Sequence, residues 1–269
     1  MSFSYLILLS GIQGVTEFLP VSSSGHLVMV ADLLKIEGRS LTFDVAMHVG
    51  TLGAVIVYLW RDIAKMVYGI FLFSIGRKTF GGRLFLMILI GSVPISLVGY
   101  VLNYFLPQGI ADIRVVAWMT IIFGIFLVIA DKIGMTVRRI EHLKFIDIFF
   151  IGVIQVFALI PGTSRSGVCM SVARILGMER SAAARFSMLL GIPAIAGAGG
   201  LKAYELWEIS GVAFTRDISL AVGLSFIFAL LSIWVMMAWL RRANFTPFAI
   251  YRVALGVVIL ATYYGFIGQ

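Results

Sequence analysis

Glu17, Ser22, Ser23, Ser24 and His26 stand together at the end of Gly11 to His26, a stretch that is otherwise mainly apolar. Ionisable side chains in such a setting are costly and are seldom kept for packing. A carboxylate there can act as a general base, bind a metal or orient an imidazole. A hydroxyl can attack or position a phosphoryl group, and a histidine can be base or nucleophile. Gln13 lies four residues before Glu17, so the two share a helical face and can act on one ligand. A second stretch repeats the plan at an offset of 141: Gly152 to Pro161 reproduces the interval Gly11 to Pro20, and Gly162-Thr163-Ser164-Arg165-Ser166-Gly167 follows where the serines stood. Backbone N–H groups, two serines and a guanidinium at the start of a helix make an anion site. The fork of Arg165 matches two oxygens of a phosphate. The acid and the histidine belong to one copy, the arginine to the other.

Each residue also has a plainer reading. Glu17 can be a hydrogen-bonding acid at a helix break, His26 a satisfied buried histidine, and Arg165 a snorkelling or carboxylate-paired arginine. At least one of the three serines is expected only to cap the following helix. Asp44 and His48, four apart at the start of a span, can pair structurally near the outer surface or take part in catalysis. Arg252, in the Asn244 to Arg252 segment with Pro247 and Tyr251, is either a second phosphate contact or an interfacial anchor.

The elements that must position these groups follow from composition. Hydrophobic residues make up 61% of the 269-residue chain and charged residues 13%, and the mean hydropathy is +1.04. That excludes a soluble globular domain and gives an all-α polytopic membrane protein, read as a single integral membrane domain over 1–269. Met1 to Leu9 lacks a basic n-region and a small-residue cleavage site, so the first segment is expected to stay in the mature protein. The lone Cys169 excludes an internal disulfide, and no Cys or His cluster marks a structural zinc site. The net charge of +8 sits in short loops between apolar spans, which points to topology and contact with membrane lipids and not to nucleic acid.

Residues 3–19 and 23–34 are apolar pieces too short to cross the membrane separately, and they read as a re-entrant helix pair. Spans are expected at about 45–60, 84–102 and 115–131, with a basic loop from Arg61 to Arg83 and another from Asp131 to Asp147. The second half repeats the order: a broken pair at 148–160 and 166–177, then spans at about 185–202, 218–240 and 248–267. Each half is therefore one re-entrant helix pair plus three transmembrane helices. With an odd number of spans per half, this is an inverted-topology repeat, over about 1–131 and 142–269. Of the 21 Lys and Arg, Lys35, Arg39, Arg114, Lys202 and Arg216 fall in the loops on one side, Arg165 and Arg252 are membrane-embedded, and the remaining fourteen fall on the other side. The richer side is cytoplasmic by the positive-inside rule, which puts both termini and the first re-entrant pair outside.

The pieces Gln13 to His26, Pro161 to Gly167 and Pro247 to Arg252 resemble the bacterial undecaprenyl-diphosphate phosphatases, also called bacitracin-resistance proteins, and the resemblance covers nearly the whole chain. It implies an enzyme of the bacterial cytoplasmic (inner) membrane, whose site the charge count expects to face outward. That enzyme removes the terminal phosphate of a polyprenyl diphosphate lipid, recycles the carrier for peptidoglycan synthesis and uses a divalent cation, Mg²⁺ or Ca²⁺. Carried over residue by residue, it implies Glu17, Ser23, His26 and Arg165 as catalytic, with water also open as the nucleophile. Ser24, Gly162, Thr163, Ser164, Ser166 and Arg252 are the phosphate-binding set, and Glu17 and Gln13 the metal ligands. Two positions depart from the family pattern. Gln13 stands where a second glutamate is usual, and Cys169 where a threonine is common. A phosphatidic-acid-phosphatase reading, suggested by Ser24-Gly25-His26, fails because the chain has no Arg-Pro dipeptide and carries Ser171 six residues after Arg165. A lipid transporter or flippase remains the competing class, and a homodimer remains open.

Overall fold

The computed structural model describes residues 3–33, 41–106, 112–210 and 215–265, and within them the protein is helical, with no strand beyond a single bridge between Arg138 and Met178. The helices are α1 (Phe3–Thr16), α2 (Ser23–Leu33), α3 (Leu41–Tyr58), α4 (Trp60–Ser74), α5 (Phe80–Phe105), α6 (Ile113–Ile133), α7 (Phe145–Gln155), α8 (Arg165–Ile175), α9 (Arg180–Ser210), α10 (Arg216–Leu240) and α11 (Thr246–Tyr263). Six of them, α3, α5, α6, α9, α10 and α11, are long and apolar enough to cross a membrane, so the protein is a multi-pass membrane protein.

All six expected spans are present, and most begin a few residues earlier than the apolar runs. The reason is capping: Thr79, Asp112 and Thr215 accept hydrogen bonds from the backbone N–H groups of Gly82, Arg114 and Ile218, so polar first turns are held in the helix. One expectation is corrected. The basic stretch from Arg61 to Arg83 is not simply a loop, because it contains α4, an amphipathic helix packed against α5. Lys35 and Arg39, assigned to the outer loops, and positions 34 and 266–267 at the expected helix ends lie outside the described residues.

α8 is the most enclosed helix, walled by α6, α7 and α9. Val168, Met170, Ser171, Ala173 and Arg174 have no exposed surface. Arg174, counted above among the loop cations, belongs instead to the last turn of α8. Its Nε donates to Asp131 at 2.8 Å, and its other nitrogens donate to the carbonyls of Asp131, Gly134, Met135 and Met178. Arg180 donates to the same carboxylate at 2.8 Å. A buried ion pair is worth keeping only when its remaining donors and acceptors are matched. Here they are, and they pin the ends of α6 and α8 to the start of α9.

The helices pair in a regular way. α1 and α3 lie on α10, α7 and α9 lie on α5, α3 crosses α9, and α6 lies along α11. The two helix breaks, between α1 and α2 and between α7 and α8, are thereby brought to the middle of the bundle.

Candidate active site

The breaks have the same local geometry. Ser22 (φ 72°) and Ser164 (φ 67°) are the non-glycine residues with positive φ among the described residues. Such a conformation costs about 1–3 kcal/mol and tends to mark functional turns. Each of these serines caps the helix that follows, with Ser22 Oγ accepting from the Gly25 N–H and Ser164 Oγ from the Gly167 N–H. Each also contacts the hydroxyl two residues on, Ser24 or Ser166, at 3.2 Å. The cap expected of one serine in the first copy thus belongs to Ser22.

This match shifts the repeat register by one residue across the loops. Ser22-Ser23-Ser24-Gly25 superposes in role on Ser164-Arg165-Ser166-Gly167, an offset of 142, because Gly162 (φ 94°) adds a residue to the second loop. A Cβ on Gly162 would collide with the Val116 carbonyl on α6, so the extra residue has to be glycine. Ser23 and Arg165 therefore occupy equivalent places in the two copies.

Those two residues meet at Glu17, just past the end of α1. Ser23 Oγ donates to Glu17 Oε2 at 3.1 Å, Gln13 Nε2 donates to the same oxygen at 2.8 Å, and Arg165 Nη2 lies 3.8 Å from Glu17 Oε1. Arg165 Nη1 donates to the Ser187 carbonyl on α9 at 3.2 Å, which aims the guanidinium, while its Nη2 has no hydrogen-bond partner. Gln13 Oε1 is likewise buried and unpartnered. A hydroxyl hydrogen-bonded to a carboxylate beside an uncommitted guanidinium edge is an arrangement for attack on a phosphoryl group.

A cavity of about 500 Å³ is bordered by two members of this cluster, Glu17 and Arg165. His48, Asn103 and Lys202 also line it, and Ile95, Tyr100, Ala194, Ile195, Ala198 and Leu201 of α5 and α9 form apolar walls. A cavity with apolar walls that also carries Arg165 and Lys202 suits an amphiphile with an anionic head.

The other expected residues form ties between the loops. Ser24 Oγ accepts from the Gly162 N–H at 3.1 Å, and Ser166 Oγ donates to the Leu19 carbonyl at 2.8 Å. Arg252 is fully buried, and its Nη2 donates to the carbonyls of Gly162 and Thr163 at 3.0 and 2.7 Å. Thr163 Oγ1 is buried without a partner. His26 has both ring nitrogens engaged, Nδ1 with the Ser22 carbonyl at 2.7 Å and Nε2 with the Tyr251 hydroxyl at 2.6 Å. Because a carbonyl only accepts, Nδ1 carries the proton. Adjacent residues of α11 thus hold the two copies, Tyr251 through His26 of α2 and Arg252 through the carbonyls of the Gly162–Thr163 loop.

Sequence reasoning missed Tyr251 as the partner of His26 and Ser187 as the seat of Arg165; His48, left open between structural pairing and catalysis, is a wall of the cavity. Gly191 carried a signal, since it falls 141 residues after Gly50, and its reason is now visible. A Cβ there would stand 2.6 Å from the Arg165 guanidinium carbon. Among the described residues, no three His, Cys, Asp or Glu side chains gather to hold a metal by themselves.

Known proteins are similar to this chain over nearly its whole length. The family described as bacitracin resistance protein BacA matches residues 6–258. Undecaprenyl-diphosphatase 1 of Rhodospirillum rubrum is 42% identical over 266 residues, covering 96% of this chain and 94% of that protein. The undecaprenyl-diphosphatase of Ruegeria pomeroyi is 42% identical over 98% of this chain and all of its own length, and that of Alteromonas mediterranea is 40% identical over 97% and 98%.

Proposed function

The chain belongs to the bacitracin resistance protein BacA family, and from that premise we propose that it is an undecaprenyl-diphosphatase. It hydrolyses the phosphoric anhydride of the lipid diphosphate to lipid monophosphate and inorganic phosphate, which returns the carrier to peptidoglycan synthesis and confers bacitracin resistance. The observation that carries the site assignment is the Ser23 hydroxyl held on Glu17 beside Arg165, within reach of an apolar-walled cavity.

The steps follow from these atoms. Ser23 Oγ forms a bond to the terminal phosphorus as its proton passes to Glu17. The bond from that phosphorus to the bridging oxygen breaks, and the electron pair leaves with the lipid monophosphate. Arg165 meets the non-bridging oxygens as charge moves across them. Glu17 then releases that proton to solvent water, a second water attacks the phosphoserine, and Glu17 takes that water's proton and passes it to the departing Ser23 oxygen. His26, with both nitrogens engaged, holds α2 against α11 and is a positioning residue.

The residues fit a divalent cation that arrives with its substrate. Magnesium is commonly held by one or two carboxylates plus phosphate oxygens. Glu17 supplies the carboxylate. With its amide turned by a half turn, Gln13 would present its unpartnered oxygen on the side of Glu17 and could serve as a second oxygen ligand. When bound, the cation would offset the charge of the diphosphate.

The inverted repeat is supported by the matching breaks and by the reciprocal helix pairing, since α1 with α10 corresponds to α7 with α5, and α3 with α10 to α9 with α5. The short pairs α1–α2 and α7–α8 are the re-entrant elements. Orientation in the inner membrane is supported by the two ends of α9. Arg185, with Arg61, Arg139 and Arg241, lines an arginine-rich cleft at one end, which also holds Asp62, Glu141 and Glu179, whereas Lys202, about 25 Å along the helix, borders the site cavity. The cavity thus opens away from the arginine-rich face, outward by the positive-inside rule.

The test is phosphate release by purified protein from a long-chain isoprenyl diphosphate, with and without a chelator. Release that depends on a divalent cation, with lipid monophosphate left behind, is the expected result. No release with cation supplied would overturn the reading and leave passage of the lipid as the function.

A further inference from the structure

Two histidines lie near the breaks, and they differ in what their rings can do. His26 is 7% exposed and committed on both edges, to the Ser22 carbonyl and the Tyr251 hydroxyl. His48, on α3, lines the same cavity as Glu17 and Arg165 and uses only one edge: Nδ1 bonds the Asp44 backbone carbonyl one turn earlier, at 2.7 Å. Nε2 makes no hydrogen bond among the described residues.

We propose that His48 is a further catalytic residue, the acid that protonates the leaving lipid phosphate; this rests on the diphosphatase reading of the cavity. The geometry suits a group that must gain and lose a proton without moving. The Asp44 carbonyl accepts from Nδ1–H in either protonation state, so the ring keeps its pose while Nε2 alone changes. The proton balance of the reaction calls for such a group. When Ser23 attacks, its proton goes to Glu17, and Glu17 cannot at the same moment supply one to the bridging oxygen on the far side of the phosphorus. In the proposed step the bond from the terminal phosphorus to the bridging oxygen breaks, Nε2–H passes its proton to that oxygen, and the lipid monophosphate leaves protonated. The imidazole recovers a proton from water through the cavity mouth. Arg165 and Lys202 also line this cavity and serve as fixed charge.

The test uses the purified full-length protein with a long-chain isoprenyl diphosphate, comparing wild type, His48→Gln and His48→Ala. Glutamine retains an N–H donor of similar reach and cannot act as an acid, so it separates proton transfer from simple phosphate contact. The expected result is a fall in kcat of about 100-fold or more for both variants with KM little changed, the usual scale for a lost general acid. Added imidazole should restore His48→Ala in proportion to its concentration. Wild-type-like kcat in His48→Gln, a loss confined to KM, or no response of His48→Ala to imidazole would each overturn the proposal. If His48→Ala does not accumulate in the membrane, the kcat of His48→Gln decides alone. Wild-type phosphate release tests the diphosphatase reading separately, so the two failures cannot be confused.

Discussion

Arg165→Lys should lower kcat/KM for the isoprenyl diphosphate by about 100- to 1000-fold, a loss of about 2.7–4 kcal/mol of transition-state stabilisation, the scale seen when one preorganised charge-stabilising donor is removed. The guanidinium is held by the Ser187 carbonyl at 3.2 Å and keeps a second nitrogen without a partner beside Glu17. Lysine has a single charged point and no fork, so it can satisfy the carbonyl or the phosphate but not both. Gly191→Ala should produce a loss of the same kind with Arg165 intact, because the new methyl group would occupy the place of the guanidinium. Steady-state phosphate release checks both. Near-wild-type turnover in Arg165→Lys would show that the fork does not hold the phosphoryl group.

Ser23→Ala should be more damaging still. Removing a serine nucleophile from a hydrolase of known mechanism costs roughly 10⁴-fold or more, with the residual rate owed to the surrounding charges. Ser22→Ala, one residue away, should retain turnover and lose about 1 kcal/mol of stability, because Ser22 Oγ caps α2 and takes no part in the Glu17 cluster. Brief mixing with a diphosphate labelled on its terminal phosphorus should leave label on Ser23 in wild type and none in Ser23→Ala. Label on His26 would transfer the attacking role to the imidazole.

Much of this arrangement was legible in the sequence for physical reasons. The spans show because apolar runs of that length have no other stable setting, and the breaks show because proline, serine and glycine interrupt them at matching places. That Glu17 and Arg165 would share a cavity could be anticipated from the repeat. His26, expected to line it with them, is turned onto the Ser22 carbonyl and Tyr251, and Ser23 was singled out only by the family resemblance. The register of the repeat could not be anticipated, because the added Gly162 shifts the second loop by one and only the paired caps of Ser22 and Ser164 reveal it. α4 was hidden because its cations read as loop. The Tyr251 contact to His26 joins residues 225 apart, and no local pattern encodes which face of α11 meets α2. Arg252 was open between phosphate contact and anchor; its guanidinium is turned onto the Gly162 and Thr163 carbonyls.

A site shared between the two breaks requires Glu17 of the first and Arg165 of the second to act on one phosphoryl group. The most direct test is a double-mutant cycle on kcat/KM with Glu17→Gln, Arg165→Lys and the pair. Residues working on the same transition state give strongly non-additive losses, so the double variant should be little worse than the more damaged single one, with a coupling of roughly 0.5–3 kcal/mol. Losses that add to within about 0.3–0.5 kcal/mol would mean that the two residues act independently, and would contradict a phosphate site composed from both copies.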